Sequence, residues 1–184
     1  MSNIISAVFL DRDGVIVQNR PDYIRSLEDV EFLPGALDTL RTLNERRFSV
    51  FIVTNQSAVG RGIIPLERAI AINQHILSEI ETHGGHITHA YICPHSPTDA
   101  CDCRKPQPGL ILQARRDHDI ELSSSILVGD AVSDLQAGRS AGIDRVALVR
   151  TGRGSEQEQL LSTIQPAPEV YNNLKEAVAH ILGN

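Results

Sequence analysis

At 184 residues the chain has the size that buries one hydrophobic core rather than two, so a single domain over residues 1–184 is expected. Its hydrophobic fraction of 41%, with only 4% aromatic residues and no Trp, describes an aliphatic core and argues against disorder. A formal net charge of -6 offers nothing to nucleic acid or an anionic membrane, and no apolar window reaches the roughly 18 to 20 residues of a membrane span.

Residues 4–10 form an apolar, β-branched run that stops at Asp11, which reads as a buried strand entering a polar loop. Pro34-Gly35 opens a helix with Leu37, Leu40 and Leu43 on one face, and residues 48–53 form a second strand ending at Thr54-Asn55. Pro65 starts a helix carrying Leu66, Ile70, Ile76, Leu77 and Ile80, which Gly84-Gly85 stops before a strand over residues 86–93. Pro108-Gly109 begins the next helix through Leu110, Ile111 and Ala114. Residues 125–128 make a strand ending at Gly129-Asp130, a short helix runs to about Ser140, and residues 145–149 make another strand. After Gly154 the pattern weakens until residues 171–182, which read as a terminal helix. This alternation predicts an α/β, doubly wound (Rossmann-like) parallel sheet with helices on both faces and ligands bound beyond the carboxyl ends of the strands. The loops over residues 11–33 and 93–107 are too short for a large cap domain but long enough to be functional. No secretory leader pattern is visible, so the cytoplasm is the expected compartment. A monomer is expected, because no long apolar surface stripe or coiled-coil repeat is present.

The chemistry collects at the predicted strand ends. Asp11-Arg12-Asp13-Gly14 puts two carboxylates two residues apart, a pattern that alone is no more than a strand-ending turn. Thr54-Asn55 after the second strand, and Asp130 with Asp134 after the fourth, converge on the same edge. Asp11, Asp13 and Asp130 would repel one another by about 4 kcal/mol per pair at ~4 Å and an effective dielectric near 20, so a cation is required. Oxygen ligands point to magnesium. Arg104 and Lys105, in the loop after the third strand, are placed to clamp an anion, although an isolated basic pair is by default a solvated one. Cys93, His95, Cys101 and Cys103 supply three thiols and an imidazole within eleven residues, a donor set suited to a closed, structural zinc site that would pin the 93–107 loop. A closed disulfide framework is not expected from three cysteines.

Phe9 to Gly14, Val53 to Ser57, Arg104-Lys105-Pro106, and Gly129-Asp130 with Asp134 resemble, in order, the four motifs of the haloacid dehalogenase-like phosphatases. The similarity is greatest to the branch holding the heptose-1,7-bisphosphate phosphatases and the histidinol phosphatases. That resemblance implies a phosphatase acting on a small sugar phosphate, in the making of nucleotide-activated heptose for lipopolysaccharide core or surface glycans. It implies Asp11 as nucleophile, Asp13 as general acid and base, and Thr54 and Lys105 as holders of the transferring phosphoryl group. Magnesium would lie between Asp11, the main-chain carbonyl of Asp13 and Asp130, with Asp134 in support, and the Cys-x-His and Cys-x-Cys pairs would hold zinc. Substrate contacts would come from Arg12, Asn19, Arg20, Pro21, Asp22, Asn55, Gln56, Ser57 and Arg104. Two departures stand out: a short segment between His95 and Cys101, and Ala131 where that branch often has lysine, which removes a cation from beside the site. Histidinol-phosphate phosphatase is the alternative among enzymes. A phosphoacceptor receiver domain would not place Thr54 at the second strand end, and a silent zinc-stabilised binding module would have no use for the repulsion between Asp11 and Asp13.

Overall fold

The computed structural model describes residues 6–183. Six strands, β1 (Ala7–Leu10), β2 (Ser49–Asn55), β3 (His89–Cys93), β4 (Ile126–Gly129), β5 (Arg145–Val149) and β6 (Glu169–Tyr171), form one sheet in the order β3-β2-β1-β4-β5-β6. All five pairings are parallel. The helices are α1 (Ala36–Glu45), α2 (Ser57–Gly60), α3 (Leu66–Thr82), α4 (Gly109–His118), α5 (Val132–Ala141), α6 (Gly154–Gln157) and α7 (Leu174–Ile181).

The strands are apolar throughout because both faces of the sheet are covered. Successive side chains point to opposite faces, and the two cores divide accordingly. Val8, Leu10, Val50, Ile52 and Val128 join Leu40 and Leu43 of α1, Ile72, Ile76 and Ile80 of α3, and Leu174 and Val178 of α7. Ala7, Phe9, Phe51, Val53 and Leu127 join Leu110, Ile111 and Ala114 of α4 and Leu135 and Ala137 of α5. Each fully buried Leu, Ile or Phe among them contributes roughly 1.5 to 3 kcal/mol relative to exposure. Helices therefore cover both faces, as the alternation in sequence requires.

The sequence reading holds for the central elements and shifts at the margins. Ile4 and Ile5 lie outside the described residues, and β3 begins at His89 rather than at residue 86. Tyr171 does not open the last helix: it ends β6, and α7 starts after Asn173, whose side-chain oxygen accepts the Glu176 N–H at 3.0 Å. β6 escapes periodicity because it is three residues long and sits between Pro168 and the Asn172-Asn173 turn.

The direction of winding reverses at β1. The chain moves from β1 outward through β2 and β3, then returns to the other side of β1 for β4. The loops leaving β1 and β4 consequently diverge and leave a crevice beyond their carboxyl ends. Asp11 follows the last residue of β1, and Asp130 follows the last residue of β4. No helix among the described residues is long and apolar enough to cross a membrane.

Candidate active site

At this crevice lies a cleft of about 660 Å³ lined, among others, by Asp11, Asp13, Asn19, Asn55, Ser57, Arg104, Lys105 and Asp134. Asp11 continues the sheet for one more rung, its N–H donating to Val128 O at 3.0 Å, and its side chain is buried. Lys105 reaches it from the loop after β3. Its ammonium donates to Asp11 Oδ1 at 2.8 Å and to Val53 O at 2.7 Å, and lies 2.7 Å from Asp134 Oδ1. Burial alone would favour the neutral amine, but Asp11 and Asp134 outweigh it and raise the Lys105 pKa, so the charge stays. Asn55 fixes the approach of this lysine: its Oδ1 accepts the Lys105 N–H and its Nδ2 donates to the Lys105 carbonyl, each at 3.1 Å.

Asp134 stands one helical turn after Asp130, at the start of α5. Its Oδ2 accepts the N–H groups of Asp130 at 3.2 Å and Ala131 at 3.0 Å. Burial pushes its carboxyl up to about 6 against the pull of Lys105. With both oxygens engaged, Asp134 braces Lys105 and the β4 loop. Asp130 is fully buried, and its pKa is raised by burial and by the charge of Asp11.

Asp11, Asp130 and Asp134 bring carboxylate oxygens within 4.8 Å of one another. The set is all oxygen, largely desolvated and rich in negative charge, which fits a hard divalent cation. Asp13 contributes no side-chain oxygen to that cluster. Its carboxylate instead accepts from Arg12 Nε and Nη2 at 3.1 Å and from Gln56 Nε2 at 2.9 Å, and Gln56 donates in turn to Thr54 Oγ1 at 2.8 Å.

The second cluster lies beside the cleft. Cys93 Sγ is 3.1 Å from Cys103 Sγ and 3.9 Å from Cys101 Sγ, and the Cys101 and Cys103 sulfurs are 3.7 Å apart. His95 Nδ1 lies 3.5 Å from Cys93 Sγ and 3.3 Å from Cys103 Sγ. Zinc–sulfur bonds of about 2.3 Å arranged tetrahedrally would set sulfurs about 3.8 Å apart, so the four donors converge at a spacing that suits zinc.

Several expected substrate contacts sit elsewhere. Arg12 is 1% exposed and turned onto Asp13, so it orients that carboxylate rather than facing the cleft. Arg20 donates to Asp29 O at 3.2 Å and pairs with Glu31 at 3.3 Å, tying its loop to itself. Pro21 and Asp22 are exposed and line no part of the cleft. Of that loop, Asn19 does line it, joined by Tyr23. Thr54 and Gln56 are buried behind the lining residues. Arg104 donates to Ser57 Oγ at 2.6 Å and to His95 O at 3.3 Å, linking α2 to the cysteine loop.

Among the lining residues that the sequence did not single out are Tyr23, Arg61 and Arg153. Arg61 caps the carboxyl end of α2, close after the Thr54-Asn55 motif. Arg153 comes from the loop after β5 and donates to Asp130 Oδ1 from Nη2 at 3.1 Å and to Asp130 Oδ2 from its main-chain N–H at 2.9 Å. A count of cations after each strand would have raised Arg153, since β5 abuts β4 and its loop must pass the same edge.

Comparison with known proteins gives concordant results. A family model described as HAD-hydrolase-like matches residues 102–177. The chain is 34% identical to a D-glycero-beta-D-manno-heptose-1,7-bisphosphate 7-phosphatase of Yersinia pestis over 160 residues, covering 83% of this chain and 85% of that protein. It is 36% identical to a D-glycero-alpha-D-manno-heptose-1,7-bisphosphate 7-phosphatase of Photorhabdus laumondii, covering 84% of this chain and 88% of that one. Among solved structures, D,D-heptose 1,7-bisphosphate phosphatase from B. bronchiseptica, complexed with magnesium and phosphate, superposes with a TM-score of 0.92. That pair is 31% identical, over 97% of this chain and 99% of the other.

Proposed function

The chain belongs to the haloacid dehalogenase-like phosphatases, and from that premise we propose that it hydrolyses the 7-phosphate of D-glycero-D-manno-heptose 1,7-bisphosphate. The observation that carries the substrate reading is the distribution of charge around one cleft. Lys105, 2.8 Å from Asp11 at its floor, is the cation needed for the phosphate under attack. Arg61, Arg104 and Arg153 line the same cleft and supply more positive charge than one phosphate requires, which suits a substrate with a second phosphate.

The positions of the side chains support one course for the reaction. Lys105 holds the Asp11 carboxylate through Oδ1, and that carboxylate supplies the attacking oxygen. That oxygen forms a bond to phosphorus as the bond from phosphorus to the sugar oxygen breaks, giving an aspartyl phosphate. Asp13, held in direction by Arg12 and Gln56, gives its proton to the departing sugar oxygen. It then takes a proton from the water that attacks the phosphorus and returns Asp11 and inorganic phosphate. Lys105 donates to the phosphoryl oxygens as charge builds on them, while Thr54, buried behind the lining residues, accepts the Gln56 side-chain N–H and so steadies Gln56 on Asp13. Asp11, the main-chain carbonyl of Asp13 and Asp130 would hold magnesium, which would offset the repulsion between nucleophile and phosphate. Cys93, His95, Cys101 and Cys103 would hold zinc in a closed set that leaves no position for substrate, so its part is structural.

The test is phosphate release, with and without magnesium, from both anomers of heptose 1,7-bisphosphate and from histidinol phosphate. Magnesium-dependent release from a heptose bisphosphate is expected, with Asp11→Asn inactive but folded by circular dichroism. Preference for histidinol phosphate would keep the chemistry and reject the substrate. Equal rates for Asp11→Asn and the unaltered protein would reject the mechanism.

A further inference from the structure

Asp130 offers a cation only one of its two oxygens. Oδ2 is enclosed: the Arg153 main-chain N–H donates to it at 2.9 Å and the Arg153 Nε at 3.4 Å, and a Cβ on either Gly14 or Gly152 would run into it. Both glycines have positive φ, +89° and +58°, and the Thr151 hydroxyl ties the two loops by donating to the Gly14 carbonyl at 2.6 Å. Oδ1 is the remaining approach, and there the Arg153 Nη2 donates at 3.1 Å. With the guanidinium on that oxygen, a divalent ion approaching it meets a like charge within a few ångströms. The two ends of Arg153 are anchored differently. Its main-chain N–H is fixed on Oδ2, whereas its side chain is 53% exposed and lines the cleft, so the guanidinium can leave without moving the loop.

We propose that Arg153 is a positioning residue that exchanges with the catalytic cation: its guanidinium holds Oδ1 of Asp130 until a divalent ion takes that oxygen, and then turns into the cleft. The inference rests on reading Asp130 as a metal ligand. The exchange keeps a fully buried carboxylate compensated at every stage, as an uncompensated charge there would be strongly destabilising. It sets magnesium affinity below what the carboxylates alone would give.

The experiment is calorimetric titration of the substrate-free protein with magnesium chloride, comparing the unaltered chain with Arg153→Met, alongside thermal unfolding with and without saturating magnesium. Losing the two guanidinium bonds to Asp130, one of them long at 3.4 Å and both weakened by exposure, predicts three- to tenfold tighter magnesium binding by Arg153→Met. By linkage, the variant melts lower without magnesium, and the deficit shrinks when magnesium is saturating. In an Asp130→Asn background the Arg153→Met substitution should leave magnesium binding unchanged. Affinities within twofold of each other, or a melting deficit that magnesium does not reduce, would overturn the exchange and leave Arg153 a merely structural contact. Absence of magnesium binding by the unaltered chain would instead remove the reading of Asp130 as ligand, and the exchange with it.

Discussion

Replacing Lys105 by methionine removes a charge whose worth the geometry allows to be worked out. The side chain is 3% exposed and its ammonium touches Asp11, Asp134 and the Val53 carbonyl at 2.7 to 2.8 Å. Without it, two buried carboxylates remain with oxygens within 4.8 Å of one another, a repulsion of about 3 to 4 kcal/mol at an effective dielectric near 20. That figure agrees with the roughly 3 to 5 kcal/mol lost when one partner of a buried ion pair is deleted. Against a typical total stability of about 5 to 15 kcal/mol, Lys105→Met should survive as a folded but fragile protein. Urea unfolding in the absence of magnesium measures the loss, and adding magnesium should restore part of it by supplying another counter-charge. A second substitution, Asp134→Asn, should recover at least half of the lost stability, because the amide keeps an acceptor for the Asp130 and Ala131 N–H groups and removes the repulsion. Turnover should stay absent in both variants. A loss below about 1 kcal/mol in Lys105→Met, or no recovery with Asp134→Asn, would refute the claim that Lys105 is the electrostatic keystone of the cluster.

Cys101→Ser should reduce bound zinc, which elemental analysis of the unaltered chain should find at about one per molecule, and lower thermal stability; unchanged zinc content would remove Cys101 from the ligand set. Gly152→Ala puts a methyl group against Asp130 Oδ2 and the Gly14 Cα at a φ of +58°, and should cost about 2 kcal/mol or more in urea unfolding and weaken magnesium binding. A cost under about 0.5 kcal/mol would show that the loop has room after all. Glu169 on β6 is raised by burial, but bonds from Arg145 and Tyr171 outweigh this and hold it below its ordinary 4.5. A depressed folded-state pKa contributes stability that is present above about pH 4.5 and fades as pH falls through the folded value. Glu169→Gln should therefore lose at most about 1 kcal/mol at neutral pH, given partial solvent screening, and show a shallower acid decline below pH 4.5. Parallel acid profiles would reject the assignment.

Much of the site was legible because its parts are short and lie where strands stop. Asp11, Thr54 and Asp130 each lie where an apolar run stops, Asp134 comes one helical turn after Asp130, and Lys105 lies in the loop after the third strand, so sequence places them at one edge without knowledge of pairing. Strand order is a different kind of information. Arg153 meets Asp130 only because β5 lies beside β4, a fact set by the packing of α5 and not by any pattern near residue 153. Arg12 departs for a related reason: the resemblance put it among the substrate contacts, but the turn after β1 folds it inward onto Asp13. The resemblance put Arg20 and Asp22 among the recognition residues, while Arg20 is engaged by Asp29 and Glu31 of its own loop and Asp22 faces solvent. The final strand was lost because three residues are too few to show a period of two.

The paired bonds between the Asn55 amide and both main-chain groups of Lys105 have a bearing on how such a chain can change over time. A carboxamide that offers one donor and one acceptor to a peptide unit acts as a rung of sheet built from a side chain, so the lysine is registered directly to β2. The length of the segment between His95 and Cys101 then has no leverage on the catalytic ammonium, since slack there is taken up before the register point. Insertions or deletions in that segment are free to reshape the rim of the cleft, and with it the choice of sugar, whereas one added residue between Cys103 and Lys105 would break the register and silence the enzyme. A short loop at that place is thus compatible with an intact catalytic floor, and substrate range can drift there while the chemistry holds still.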